Sequence, residues 1–193
     1  MPFPVVIVRL ARPHPICQTR SVSEDKIALA AAEATTASLR AAGEGRDAAA
    51  FLQPLSSDVK LRSPISFKAK FEGIDEVAPV VHAIFDVIHD IEYFDDLGTS
   101  TTRALFYRAR IGDEALEGAT LVRLDESAKV VELTFFVRPL PGLAALTARL
   151  GPRLGAQYGR MRALVVAALT RPIAAVTRAG DGLGVRLAQP RRR

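Results

Sequence analysis

Thr102-Arg103-Ala104-Leu105-Phe106-Tyr107-Arg108-Ala109-Arg110-Ile111 runs into Gly112-Asp113 and returns as Glu114-Ala115-Leu116-Glu117-Gly118-Ala119-Thr120-Leu121-Val122-Arg123-Leu124. Two runs rich in apolar residues around a Gly-Asp pair read as a β-hairpin with a two-residue turn. That turn sets Ile111 opposite Glu114, and therefore Arg108 opposite Glu117, a cross-strand charge pair that belongs in solvent. Alternation then puts Leu105, Tyr107, Ala109 and Ile111 on one face with Leu116, Gly118, Thr120, Val122 and Leu124. This face is almost wholly apolar and points to the core.

Working outward, residues 125–128 form a polar loop and residues 130–138 a further strand. A four-residue loop sets Leu124 against Lys129 and Thr120 against Leu133, with Val131, Leu133, Phe135 and Val137 inward. A slip of one residue would reverse that set. Residues 91–95 read as a short strand before the hairpin. Upstream, residues 59–63 alternate like a half-buried strand that Pro64 ends. Residues 23–42 read as a helix with Ser23 as N-cap, and residues 47–54 as a short one. Ile74, Val77, Val81, Ile84 and Ile88 make one apolar stripe at helical spacing. Pro79 places the start of the regular helix only a residue or two before it. Helices followed by a strand meander predict an α+β fold. Residues 143–150 and 156–178 look helical, interrupted at Pro152, Gly155 and Pro172. Residues 180–184 read as a flexible linker.

The chain has 193 residues, 49% of them apolar, enough for one domain with extensions. No apolar run reaches the roughly 18 to 20 residues of a membrane span; the stretch 161–176 carries Arg162 and Arg171. Cys17 is the one cysteine, so an intramolecular disulfide is excluded. The first 22 residues hold four prolines and no acids, with Val5-Val6-Ile7-Val8 ahead of most of the charge. That order opposes a secretory signal, and the prolines oppose a transit helix. The segment is expected to be a tail or extra strand of a cytoplasmic protein. The net charge of +5 is unevenly placed: residues 139–193 hold ten basic and one acidic residue, or +9. Nucleic acid is an unlikely partner for that region, where Tyr158 is the single aromatic.

Four short words occur in a familiar order: Leu61-Arg62-Ser63-Pro64, Gly73-Ile74-Asp75-Glu76-Val77, Glu117-Gly118 and Val137-Arg138-Pro139-Leu140. Together they resemble the SnoaL-like domain of the nuclear transport factor 2-like, ketosteroid isomerase-like superfamily, which includes scytalone dehydratase and polyketide cyclases. The resemblance covers residues 46–151. It implies a cone-shaped, curved mixed sheet wrapped around N-terminal helices (cystatin-like) and enclosing an apolar pocket. The expected organisation is an N-terminal extension (1–22), the domain (23–151) and a basic helical extension with tail (152–193). The resemblance also implies dimerisation through the outer sheet face, where Ala104, Phe106, Ala119, Leu121, Val130 and Phe136 are unusually apolar.

In the isomerases the catalytic base is an aspartate just before the proline that closes the first strand. The matching residue here is Ser63, and the oxyanion-hole aspartate is matched by Thr120. A serine hydroxyl cannot take a proton at neutral pH without a base beside it, so that mechanism is not expected. The expected ligand-binding residues are Ser63, Phe85, Tyr93, Leu105, Tyr107, Thr120, Val122, Leu133 and Phe135. The ligand would be a small apolar molecule with a carbonyl or hydroxyl, of polyketide or steroid type. If the chain is instead a cyclase, dehydratase or isomerase, the acid–base pair would be His82 and Asp95, because Asp95 shares a strand face with Tyr93. A third reading is a dimeric interaction module using the sheet face, with the basic tail contacting an anionic surface. Arg138 is expected to order the sheet's end or the dimer interface. No cofactor and no metal site are expected, since no CxxC, HExxH or phosphate-loop pattern occurs.

Overall fold

The computed structural model describes residues 21–156 and 159–188. The expected N-terminal tail or strand, with His14 and Cys17, lies outside the described residues, as do Tyr158 and Arg191 to Arg193.

Helix α1 (Val22–Glu44) begins one residue earlier than expected and ends two later. Ser21, not Ser23, is the N-cap, in a capping box with Glu24. The short α2 (Ala48–Leu52) is capped by Asp47. Strand β1 (Leu55–Arg62) buries Leu55, Val59 and Leu61 and exposes Lys60. A three-residue β2 (Lys70–Glu72) follows, too short to leave a periodic signal. Helix α3 (Ile74–Phe85) buries Val77 and Val81 as its stripe requires, and Val80, Ala83 and Phe85 besides. It starts five residues before Pro79, earlier than the proline suggested. The carbonyl left without an amide partner is that of Asp75, an exposed residue where water can serve. Strands β3 (His89–Gly98), β4 (Thr102–Ile111), β5 (Glu114–Leu124) and β6 (Val130–Arg138) form the meander.

The six strands make one curved, unclosed sheet in the order β2-β1-β6-β5-β4-β3. β1 and β6 run parallel and the other pairs antiparallel, so the sheet is mixed. The hairpin register is the expected one, with Ile111 opposite Glu114 and Arg108 opposite Glu117. Gly112 takes φ +61° at the turn, which glycine adopts without a Cβ clash. The β5–β6 pairing is displaced by two residues: Thr120 faces Phe135, not Leu133. The loop is longer than four residues, since Leu124 pairs with Val130 and Ala128 sits at φ +58°. A shift of two preserves faces, so Leu133, Phe135 and Val137 still point inward. A register irregularity between Arg123 and Leu124 turns Val130 inward as well, fully buried, where the outer face was expected.

The C-terminal region departs most from expectation. Helices α4 (Leu140–Ala156) and α5 (Arg160–Ala188) run through Pro152 and Pro172, and residues 180–184 are helical, not a linker. The two helices pack closely as a hairpin. A Cβ added at Gly151 would lie 2.8 Å from Val166 Cγ1, and one at Gly155 would lie 3.2 Å from Ala163 Cα. In α5 the stretch Arg160–Asp181 is long and apolar enough to cross a membrane, by length and composition alone. The sequence expectation missed this because it weighed an unbroken apolar run.

Candidate functional site

A cavity of about 230 Å³ opens between the concave face of the sheet and helices α2, α3, α4 and α5. Each wall follows from a periodic pattern. The alternation of β4 and β6 delivers Tyr107, Phe135 and Val137. The stripe of α3 delivers Val81 and Ile84, and Ile88 follows from the turn just past the helix end, where the sequence had placed it on the helix. The third wall comes from the C-terminal helices: Leu146, Leu150 and Leu154 recur every fourth residue along α4, and Val166 and Thr170 reach in from α5. That wall was missed because the region was read as broken by prolines, although the leucine spacing alone marks an apolar helix face.

Of the nine expected ligand-binding residues, Ser63, Phe85, Tyr93, Tyr107 and Phe135 line the cavity. Leu105, Thr120, Val122 and Leu133 point to the same side of the sheet but are buried in the core, none more than 3% exposed, and do not line it. Their strand positions lie further along the sheet. Thr120 instead hydrogen-bonds the Tyr107 hydroxyl from below.

The polar atoms in the cavity are few. Tyr93 and Tyr107 stand 5.5 Å apart between ring centroids, tilted by 55°. Burial raises both phenols: Tyr107 is pushed up to about 12, against the opposing hydrogen bond from Thr120, and Tyr93 is raised further, with Tyr107 and Glu44 adding to the effect of burial. Both are protonated at neutral pH and act as hydrogen-bond donors, not bases. Two glycines make room for them. The Tyr107 ring lies over Gly118, where a Cβ would meet Cζ at 2.3 Å, and the Tyr93 hydroxyl lies over Gly43, where a Cβ would meet it at 2.7 Å. Ser63 is half-buried, its Oγ accepting from the Ile65 amide at 3.2 Å. The hydroxyls of Thr147 and Thr170 donate to carbonyls of their own helices. No carboxylate, imidazole, amine or guanidinium is among the lining residues.

The structure does not bring His82 and Asp95 together. His82 is on the exposed side of α3 and Asp95 is exposed on β3; among the described residues neither lines the cavity, and no hydrogen bond or ion pair joins them. The reason is a bulge. Tyr93 pairs with Tyr107, but Asp95 pairs with Phe106, so one extra residue in β3 reverses the face. Asp95 turns outward and Asp96 turns inward. Asp96 accepts from Arg103 Nε at 2.8 Å and from Thr36 Oγ1 at 2.7 Å, a clamp between α1 and the sheet. Glu117 binds both Arg108 and Arg138, which places Arg138 at the end of the sheet as expected. No group of His, Cys, Asp and Glu suited to a metal occurs among the described residues.

No family model matches the sequence, and no curated protein does. Solved structures do. A steroid delta-isomerase from Pseudomonas aeruginosa is 28% identical with a TM-score of 0.61, covering 67% of this chain and 95% of its own. A cystatin-like protein from Silicibacter pomeroyi is 20% identical with a TM-score of 0.61, over 68% of this chain and 93% of its own. A nuclear transport factor 2-like protein of unknown function from Mesorhizobium loti is 13% identical with a TM-score of 0.52, over 57% and 93%. With its helices leading into a curved, unclosed mixed sheet, the chain carries a domain of the nuclear transport factor 2-like superfamily, to which the SnoaL-like proteins belong.

Proposed function

We propose that this domain binds a small, hydrophobic, carbonyl- or hydroxyl-bearing molecule, of steroid or aromatic polyketide type, without performing proton-transfer chemistry on it. The observation that carries the reading is the cavity wall itself: mostly apolar, with two protonated phenols, a few serine and threonine hydroxyls and no ionised group. Apolar burial would supply the affinity, and a phenol O–H donated to a ligand oxygen would fix its orientation. The 28% identity to a steroid delta-isomerase supports the ligand class. The residue matching the isomerase base is Ser63, which has no basic side chain beside it in the cavity.

The test is a thermal-shift screen with steroids, polyketide-like phenols and acyl compounds. A ligand at about 100 times its Kd adds roughly 2.7 kcal/mol, or a few degrees. The shift should vanish in Thr147→Trp, which fills the cavity from α4. A shift that survives this variant places the ligand elsewhere. Turnover of a bound ketosteroid or cyclase substrate, lost in both His82→Ala and Asp95→Asn, would instead restore the acid–base reading.

A homodimer through the outer sheet face is the companion proposal. Phe94 and Phe136 are 48% and 56% exposed there, and Phe106, half-buried, packs against Phe94 at 6.3 Å. Leu121 extends the patch on the same face. A double Phe136→Lys/Leu121→Lys variant should sediment as a monomer while keeping its fold.

A further inference from the structure

We propose that α5 is an interfacial helix that docks on an anionic membrane surface. The first observation is its outward face. Met161, Leu164, Val165, Leu169, Ile173 and Val176 are between 52% and 72% exposed. At 3.6 residues per turn they fall on one side, about half of the helix circumference. The opposite side is occupied: Ala167 is buried, Ala163 packs on Gly155, and Val166 and Thr170 line the cavity. A helix with one seated side and a second, exposed apolar side has a surface left to bury.

The second observation is charge, and it selects the occupant. Residues 160–193 contain eight arginines and one acid, Asp181, or +7. Arg160 and Arg171 fall along one flank of the apolar stripe by the same helical geometry, Arg178 on that flank is ion-paired to Glu114 of the sheet, and Arg162 falls within the stripe. An apolar stripe with a basic flank suits the boundary between acyl chains and anionic headgroups. A second copy of the helix would bring two arginine arrays together. Nucleic acid would meet an aliphatic face with no ring to stack on its bases. A transmembrane course would strip Val166 and Thr170 from the cavity wall and place Arg171 near the middle of the span.

A third feature lies at the same cavity. The loop after β1 contributes Ile65, Ser66 and Ala69 to the lining, and its tip, Phe67, is fully exposed beside Lys68 and near Lys70. An exposed aromatic with basic neighbours is a second element of the kind that enters a headgroup layer. The cavity is thus bordered by two membrane-suited segments.

The experiment is co-sedimentation of the full chain with vesicles of phosphatidylcholine alone and with phosphatidylglycerol added. The chain has no tryptophan, so Leu169→Trp supplies a single reporter of insertion. Docking predicts binding to the anionic vesicles only, weakened by salt, with a blue shift in the emission of the introduced indole. Leu169→Glu/Ile173→Glu should bind roughly tenfold or more weakly with an unchanged unfolding midpoint, because both residues are exposed. The proposal is overturned if the wild type stays in the supernatant with anionic vesicles, or if the double variant binds as tightly as wild type. Conversion of a dimer to a monomer by the double variant, without vesicle binding, would assign the stripe to a second copy and also overturn it. So would resistance of the membrane-bound protein to alkaline carbonate extraction, the mark of a span. None of these outcomes depends on the cavity's ligand.

Discussion

The concave face of the sheet buries polar groups in two places, and the two are built on opposite principles. Beneath α1, Asp96 and Arg103 form an ion pair with side chains only 11% and 5% exposed, tied further to Thr36 and, at 3.6 Å, to Glu33. Around the cavity, the buried polar groups are neutral phenols and hydroxyls. The clamp has charge but no room; the cavity has room but no charge. In this superfamily's fold a carboxylate on the concave face can do proton chemistry only where a ligand can reach it. The bulge after Tyr93 sends the one inward aspartate of β3 to the clamp, where arginine and threonine occupy its oxygens.

Breaking the clamp should have the largest effect. Arg103→Ala leaves the Asp96 carboxylate buried without its cation, and such a loss costs about 3 to 5 kcal/mol. Urea denaturation should report this destabilisation. The joint replacement Arg103→Met/Asp96→Leu should be less harmful than Arg103→Ala, since no charge is then stranded. If Arg103→Ala were as stable as the wild type, the clamp would not be the fastening of α1 to the sheet.

The cavity end should respond to shape before it responds to polarity. Gly118→Ala puts a methyl group 2.3 Å from Tyr107 Cζ. The ring must move, at a cost of about 1 to 3 kcal/mol, and any compound that shifts the wild type's midpoint should shift this variant less. Tyr107→Phe is milder. It leaves the Thr120 hydroxyl without its partner, worth about 1 kcal/mol, yet it removes a donor from the cavity. Ligand affinity should fall about tenfold if that donor meets a ligand oxygen. An unchanged affinity would move the orienting role to Tyr93.

The same contrast shows why part of this molecule was legible in its sequence. A two-residue turn leaves the strands no choice of register, so Gly112-Asp113 determined the β4–β5 pairing and the burial of Tyr107 directly. The next loop had freedom in its length, and the pairing moved by two, which spared the inward face of Leu133 and Phe135. The bulge in β3 had no such signature: Asp95 and Asp96 are adjacent and chemically identical, and only packing against Thr36 and Arg103 selects between them. The cavity's third wall was written in Leu146, Leu150 and Leu154, but Pro152 obscured it. A proline one residue after Gly151 stays within α4 because α5 packs across that turn.

The smallest expected effect is on the outside of the sheet, where charge meets solvent rather than protein. Glu117 sits between Arg108 and Arg138, and hydrogen bonds, first from Arg138 and then from Arg108, hold its carboxyl below the ordinary value of 4.5. A carboxyl depressed in the folded state contributes stability that is fully present above its unfolded value and is lost as pH falls through the lower folded value. Glu117→Gln should therefore lower the unfolding midpoint by about one or two degrees at neutral pH, as an exposed pair does. The two proteins should begin to converge as pH falls below about 4.5 and meet only below the depressed folded value, and salt should narrow their difference at neutral pH. Arg103→Ala should show no such rescue by salt, because its partner is shielded from the ions that screen Glu117. A salt response equal in both variants would mean that water reaches the clamp, and the distinction between a sealed charged end and an open neutral cavity would fail.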